Sequence, residues 1–178
     1  MSDLRDLYQE VIVDHSRRPR NFAKLDPCTH SADGFNPLCG DKITVYLNVD
    51  DGKISQVGFE GAGCAISTAS ASLLTETLKG KSAAEFETLF SSFKEMVTSD
   101  SENPTLPENL GKLKIFAGVC EYPARVKCAT LCWHTVKNAL EEKEELAITS
   151  TTGLSSMQIN GKTIHSFSGI GIGDESFE

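Results

Sequence analysis

The sequence predicts an α+β fold in which a small antiparallel three-stranded sheet packs against about five helices. Ile43, Val45, Leu47 and Val49 alternate with Lys42, Thr44, Tyr46 and Asn48, the period of a half-buried strand. Asp50-Asp51-Gly52-Lys53 then turns the chain, and Ile54 to Glu60 returns with Val57 and Phe59 apolar, which makes an antiparallel hairpin. Outside this hairpin the apolar residues recur mostly at helical spacing, and 178 residues suit a single core.

The first helix is marked by Leu4, Leu7, Tyr8, Val11 and Ile12 behind Ser2 and Asp3, either of which can cap it. It is expected to end near Ser16, before Arg17-Arg18-Pro19-Arg20-Asn21, with His15 as a cation favoured by the helix dipole. A segment near Thr29–Gly34 adds the third strand. Ile66, Ala69, Leu73, Leu74 and Leu78 define a second helix that opens at Cys64 and stops at Gly80.

Ser82 and Glu85 have the spacing of a capping box, and Phe86, Leu89, Phe90, Phe93 and Val97 form the apolar stripe of a third helix. Ser99 to Pro107 reads as a surface loop before a shorter helical stretch around Leu110 to Val119. Pro123 suits the first turn of a long last helix, where Val126, Ala129, Trp133, Val136 and Leu140 share one face. The domain is expected over residues 1–148. Residues 149–178, rich in Ser, Thr and Gly, form an extension with a hairpin signal at Asn160-Gly161, either docked or mobile.

A net charge of −8 gives no broad basic surface for phosphates, so nucleic acid is not an expected partner and a protein is. No apolar run approaches the ~20 residues of a membrane helix and no signal core is present, so the chain is expected in the cytoplasm. In that reducing compartment Cys28, Cys39, Cys64, Cys120, Cys128 and Cys132 are read as thiols and not as disulfides.

Three of these thiols sit beside structural breaks. Cys39 and Asp41 flank Gly40 in the loop that opens the first hairpin strand, so both side chains can converge. Cys64 opens the second helix, where free N–H groups favour a thiolate and Gly61 and Gly63 permit a tight bend. Cys128 lies at the edge of the last helix's apolar face. Three thiolates and a carboxylate match the four donors of a tetrahedral zinc site. On local pattern alone, three separate thiols with a turn aspartate match equally, since no C-x-x-C pair is present.

Arg125, Cys128 and Cys132 fall on one helix face at offsets of three and seven residues. Arg125 can therefore balance the thiolates or dock a partner, or be an ordinary exposed arginine. Cys28, Cys120 and Cys132 read as small core or surface thiols, Trp133 as core, and His30, His134 and His165 as surface residues.

Asp14-His15 with Pro19-Arg20-Asn21, Asn36-Pro37 through Asp41, Gly61 through Ser72, and Arg125 through Trp133 together resemble the SufU branch of the NifU/IscU-like proteins, over about residues 3 to 145. IscU-type scaffolds have a histidine immediately before the third cysteine, where this chain has Lys127, and lack the insertion that Asp100–Lys114 represents. A protonated lysine has no lone pair for a metal. The resemblance implies a SufE/NifU-like fold, with zinc held by Cys39, Asp41, Cys64 and Cys128. It also implies a pyridoxal-phosphate cysteine desulfurase, SufS-like, as partner, and iron–sulfur assembly proteins downstream. Cys39, on a loop, would accept sulfur as a persulfide, and Asp41, a hard ligand among soft ones, would be the exchangeable one. The alternatives are an IscU-type scaffold holding an iron–sulfur cluster on the same residues, and a non-catalytic zinc adaptor of the desulfurase.

Overall fold

The computed structural model describes the backbone of residues 2–146, 149–150 and 162–163, and the side chains of residues 9–141. By their contacts the residues form two units, Met1–Leu140 and Glu141–Glu178. In the first, β1 (His30–Asn36), β2 (Asp41–Asp50) and β3 (Lys53–Ala62) form an antiparallel sheet in the order β1-β2-β3. Around it stand α1 (Ser2–Arg17), α2 (Ala65–Leu78), α3 (Ala83–Val97), a 3-10 helix over Glu108–Glu121, and α4 beginning at Pro123 and running to Leu146. This is the expected α+β arrangement. Among the described residues no helix is long and apolar enough to cross a membrane.

Val45, Leu47, Ile54 and Phe59 turn one face of the sheet into the core. They meet Leu73, Leu74 and Leu78 of α2, the stripe of α3, and Trp133 and Val136 of α4. Trp133 is fully buried, with its ring 4.3 Å from that of Phe93 and near-parallel to it, a contact of large apolar payload. The capping box is present: Ser82 Oγ accepts from the Glu85 N–H at 3.3 Å, and Glu85 accepts from the Ser82 N–H at 2.8 Å.

Three expectations are corrected. The third strand runs to Asn36, not Gly34, pairing Asn36 with Asp41. Its sequence, HSADGFN, is poor in β-branched residues, so pairing with β2 sets its length and not propensity. The stretch after Pro107 is a longer 3-10 helix kinked at Gly111, where φ is +49°. His15 is not the helix-end cation expected: it is buried against α2, and its Nδ1 lies 2.8 Å from Ser72 Oγ. Burial, then the Arg20 charge, lowers its pKa from the ordinary 6.5. Ser72 Oγ also accepts from the Arg20 N–H at 2.8 Å, while Arg20 pairs with Asp14 at 2.6 Å, so this motif ties the end of α1 onto α2.

In the second unit the described strands β4 (Thr149–Ser150) and β5 (Lys162–Thr163) pair in parallel. The hairpin expected around Asn160-Gly161 lies outside the described residues.

Candidate metal centre

The β1–β2 connection is a four-residue loop, Pro37–Gly40, with Cys39 near its tip. Gly40 has φ of +73°, the left-handed backbone that closes the loop, and its N–H donates to the Asn36 carbonyl at 2.8 Å. Asp41 is thereby set at the first position of β2, buried, while Cys39 is exposed. At the far end of the hairpin Gly61 passes so close to β2 that a Cβ there would collide with the Lys42 carbonyl oxygen. That close pass delivers the chain to Cys64, the N-cap of α2, whose sulfur accepts from the Ser67 N–H at 3.5 Å. Cys128 sits in the second turn of α4, fully buried.

One ligand atom each from Cys39, Asp41 and Cys128 lie within 4.8 Å of one another. The Cys128 thiol donates to the Cys39 sulfur at 3.1 Å. Asp41 Oδ1 accepts from the Cys64 N–H at 2.9 Å, and Asp41 Oδ2 is buried with no hydrogen-bond partner. A buried carboxylate oxygen left without a partner costs about 1–3 kcal/mol, and a cation bound there removes that cost. Two sulfurs and an oxygen so placed fit zinc, and Cys64 is the third sulfur and fourth donor at hand. The Cys64 sulfur lies outside the 4.8 Å group but is felt by Cys128. Burial first, then hydrogen bonding with Cys39 and the charge on Cys64, pushes the Cys128 thiol far above its ordinary range, so without a metal it is held as a neutral thiol.

Of the four residues expected around zinc, three are together and the fourth is adjacent. Arg125 is exposed, and negative charge on Cys64 foremost, then the Cys128 thiol, raises its pKa, which places the guanidinium beside the thiols. Lys127 is exposed as well. Cys132 is apart in the core, its sulfur 3.4 Å from Ser70 Oγ and its pKa pushed up to about 12 by burial. One residue of the site went unassigned by sequence reasoning. Buried Asn36 donates from Nδ2 to the Cys128 sulfur at 3.5 Å and accepts the Leu38 N–H at 3.2 Å. Asn36 entered the sequence reading only as part of the Asn36–Asp41 motif, and the contact between β1 and α4 shows its sulfur partner.

Residues 7–129 match the family of NifU-like N-terminal domains, a span that includes every residue of this site. The chain belongs to the NifU-like N-terminal domain family. It is 42% identical over 141 residues, 79% of this chain and 87% of the relative, to a Streptococcus pyogenes protein named iron–sulfur cluster assembly scaffold protein IscU. It is 35% identical over 143 residues, 80% of this chain and 95% of the relative, to the zinc-dependent sulfurtransferase SufU of Bacillus subtilis. Among solved structures, an iron–sulfur cluster assembly scaffold protein for the SUF system from Fervidobacterium islandicum superposes with a TM-score of 0.68 at 35% identity, covering 74% of this chain and 95% of that one. The three-stranded sheet and its helices are thus those of a NifU-like domain, with the thiol cluster at the end of the sheet where β1 turns into β2.

Proposed function

We propose that this NifU-like chain is a zinc-dependent sulfur acceptor of the SufU type, working in the cytoplasm with a cysteine desulfurase and passing sulfur to iron–sulfur cluster assembly. The observation that supports it most is the pairing of an exposed Cys39 with buried Asp41 and Cys128 inside 4.8 Å. One thiol can be approached from outside, while the other ligands stay anchored. The sulfur-handling module is assigned to residues 1–148, with 149–178 as an appended segment.

Bound zinc on Cys39, Asp41, Cys64 and Cys128 would keep the thiols as thiolates without redox chemistry of its own. Asp41, the oxygen donor, would be the ligand most ready to exchange when a partner side chain such as histidine approaches, and rearrangement of the donors on docking would free Cys39. The Cys39 thiolate then attacks the outer sulfur of the desulfurase's cysteine persulfide. A new sulfur–sulfur bond forms at Cys39, the old one breaks, and the donor cysteine leaves as its thiolate, so no other oxidant or reductant is consumed. Arg125 at the rim balances negative charge on the thiols or meets the docked partner.

The Bacillus subtilis relative's name supports this reading, as does Lys127 in place of the histidine of IscU-type scaffolds. The scaffold reading is favoured by the Streptococcus pyogenes relative, and in it an iron–sulfur cluster is cargo on the same residues. Metal analysis after anaerobic purification, combined with desulfurase turnover, separates the readings. A colourless protein with one zinc that accelerates cysteine turnover is the expected result. A brown protein with visible absorption indicates the scaffold, and zinc without acceleration leaves only a structural adaptor.

A further inference from the structure

We propose that Cys128 is a resolving thiol, able to discharge a persulfide carried on Cys39 as free hydrosulfide and leave a Cys39–Cys128 disulfide. The inference rests on Cys39 being the sulfur acceptor. Its geometric basis is the 3.1 Å between the two sulfurs, with Cys128 buried beneath and Cys39 exposed above. An outer sulfur added to Cys39 has its open space on the solvent side. Cys128 then faces the inner sulfur from the buried side, 3.1 Å away.

The other thiols are worse placed. The Cys64 sulfur caps α2 through the Ser67 N–H and lies outside the 4.8 Å group. The Cys132 sulfur is held in the core by Ser70. The Asn36 amide, 3.5 Å from the Cys128 sulfur, helps hold that sulfur under the loop. Forming a bond of about 2.05 Å requires the sulfurs to close by only about 1 Å. That closing falls to the Pro37–Gly40 loop, where Cys39 is exposed.

The step balances without another reagent. Cys128 gives up its proton to water, its thiolate sulfur bonds to the inner sulfur on Cys39, the bond to the outer sulfur breaks, and that sulfur leaves with the electron pair and the persulfide's own proton as hydrosulfide. The outer sulfur is reduced by two electrons and the cysteine pair is oxidised by two. Hydrogen sulfide is more acidic than an alkyl thiol, so hydrosulfide is the better leaving group of the two. While zinc is held, Cys128 serves as a ligand and is not available for the attack. The same residue therefore keeps sulfur on the loaded chain and releases it from the unloaded one.

The test uses the full-length, zinc-loaded chain under anaerobic conditions. It is loaded with sulfur by a desulfurase and cysteine, freed of both, and then treated with a chelator. Before the chelator, the intact mass should show one added sulfur atom. Afterwards it should fall to two hydrogens below that of the starting thiol form, with one hydrosulfide released per chain and a Cys39–Cys128 linked peptide on digestion. The Cys128→Ser variant should keep its added sulfur after the chelator, and Cys120→Ser should behave as wild type. Where Cys128→Ser fails to fold or load, the wild-type peptide map alone decides. Sulfur retained after chelation, or a disulfide to Cys64, overturns the inference and leaves the acceptor reading standing. No sulfur gained in the first stage overturns both.

Discussion

The N–H of Cys64 donates to Asp41 Oδ1 at 2.9 Å, so the residue that opens α2 orients the carboxylate that opens β2. One carboxylate oxygen is thereby committed to the fold, and the other is left buried with no hydrogen-bond partner. Asp41 is thus a structural tie through one oxygen, and under the proposed function its other oxygen would be a metal ligand; the two roles separate by substitution.

Asp41→Asn keeps an acceptor for the Cys64 N–H but replaces the second oxygen by an amide that cannot act as an anionic ligand. The variant should fold and bind zinc at least about tenfold more weakly, a difference of about 1.4 kcal/mol, in competition with a chromophoric chelator. Unchanged affinity would remove Asp41 from the ligand set.

Asn36→Ala removes the amide that meets the Cys128 sulfur and the cap on the Leu38 N–H. The stability loss should be about 1–2 kcal/mol by urea denaturation at an unchanged m-value. Sulfur uptake should fall by more than this loss of folded protein explains, because the loop that carries Cys39 loses its anchor.

At Gly61 φ is +151° and a Cβ would also lie 2.9 Å from the Ile43 Cα, so neither conformation nor space admits a side chain. Gly61→Ala should destabilise the protein by about 2–3 kcal/mol. Thermal denaturation should show it. A drop of a few tenths would mean that the β2–β3 crossing relaxes freely.

His15 is held neutral when folded, because burial and the nearby Arg20 and Lys112 charges outweigh Glu76 and Asp14. Its folded pKa is below the unfolded value, so as pH falls through 6.5 the unfolded chain takes up a proton that the folded one resists. This contribution to stability is full above that pH and declines below it, until the folded value is reached. The midpoint of thermal unfolding measured from pH 7.5 to 5 should fall more steeply for wild type than for His15→Gln. Parallel curves would contradict a buried neutral His15.

What the sequence shows and what it hides divide by range along the chain. The alternation from Lys42 to Val49, the Ser82–Glu85 box and Pro123 are local signals, and each element they mark is present. The grouping of Cys39, Asp41 and Cys128 was not legible in local pattern, since aspartate beside glycine is also an ordinary turn pairing, and was carried by the ordered family motifs. His15 was misread because its partner, Ser72, is 57 residues away and nothing near His15 announces it. Asn36 was passed over for the same reason, its sulfur partner lying 92 residues on. The 3-10 helix was drawn as an ordinary short helix because its spacing is apolar enough, while the kink at Gly111 is a matter of backbone angle.

Mapping the position of the added sulfur tests the assignment most directly. The zinc-loaded chain is incubated anaerobically with a cysteine desulfurase and cysteine, its thiols are alkylated, and the digest is read by mass spectrometry. The extra sulfur should be on Cys39 and should be absent from a Cys39→Ser variant that still binds the desulfurase. Sulfur found on Cys28 or Cys120, or retained in full by Cys39→Ser, would contradict the role given to the exposed thiol of the Pro37–Gly40 loop.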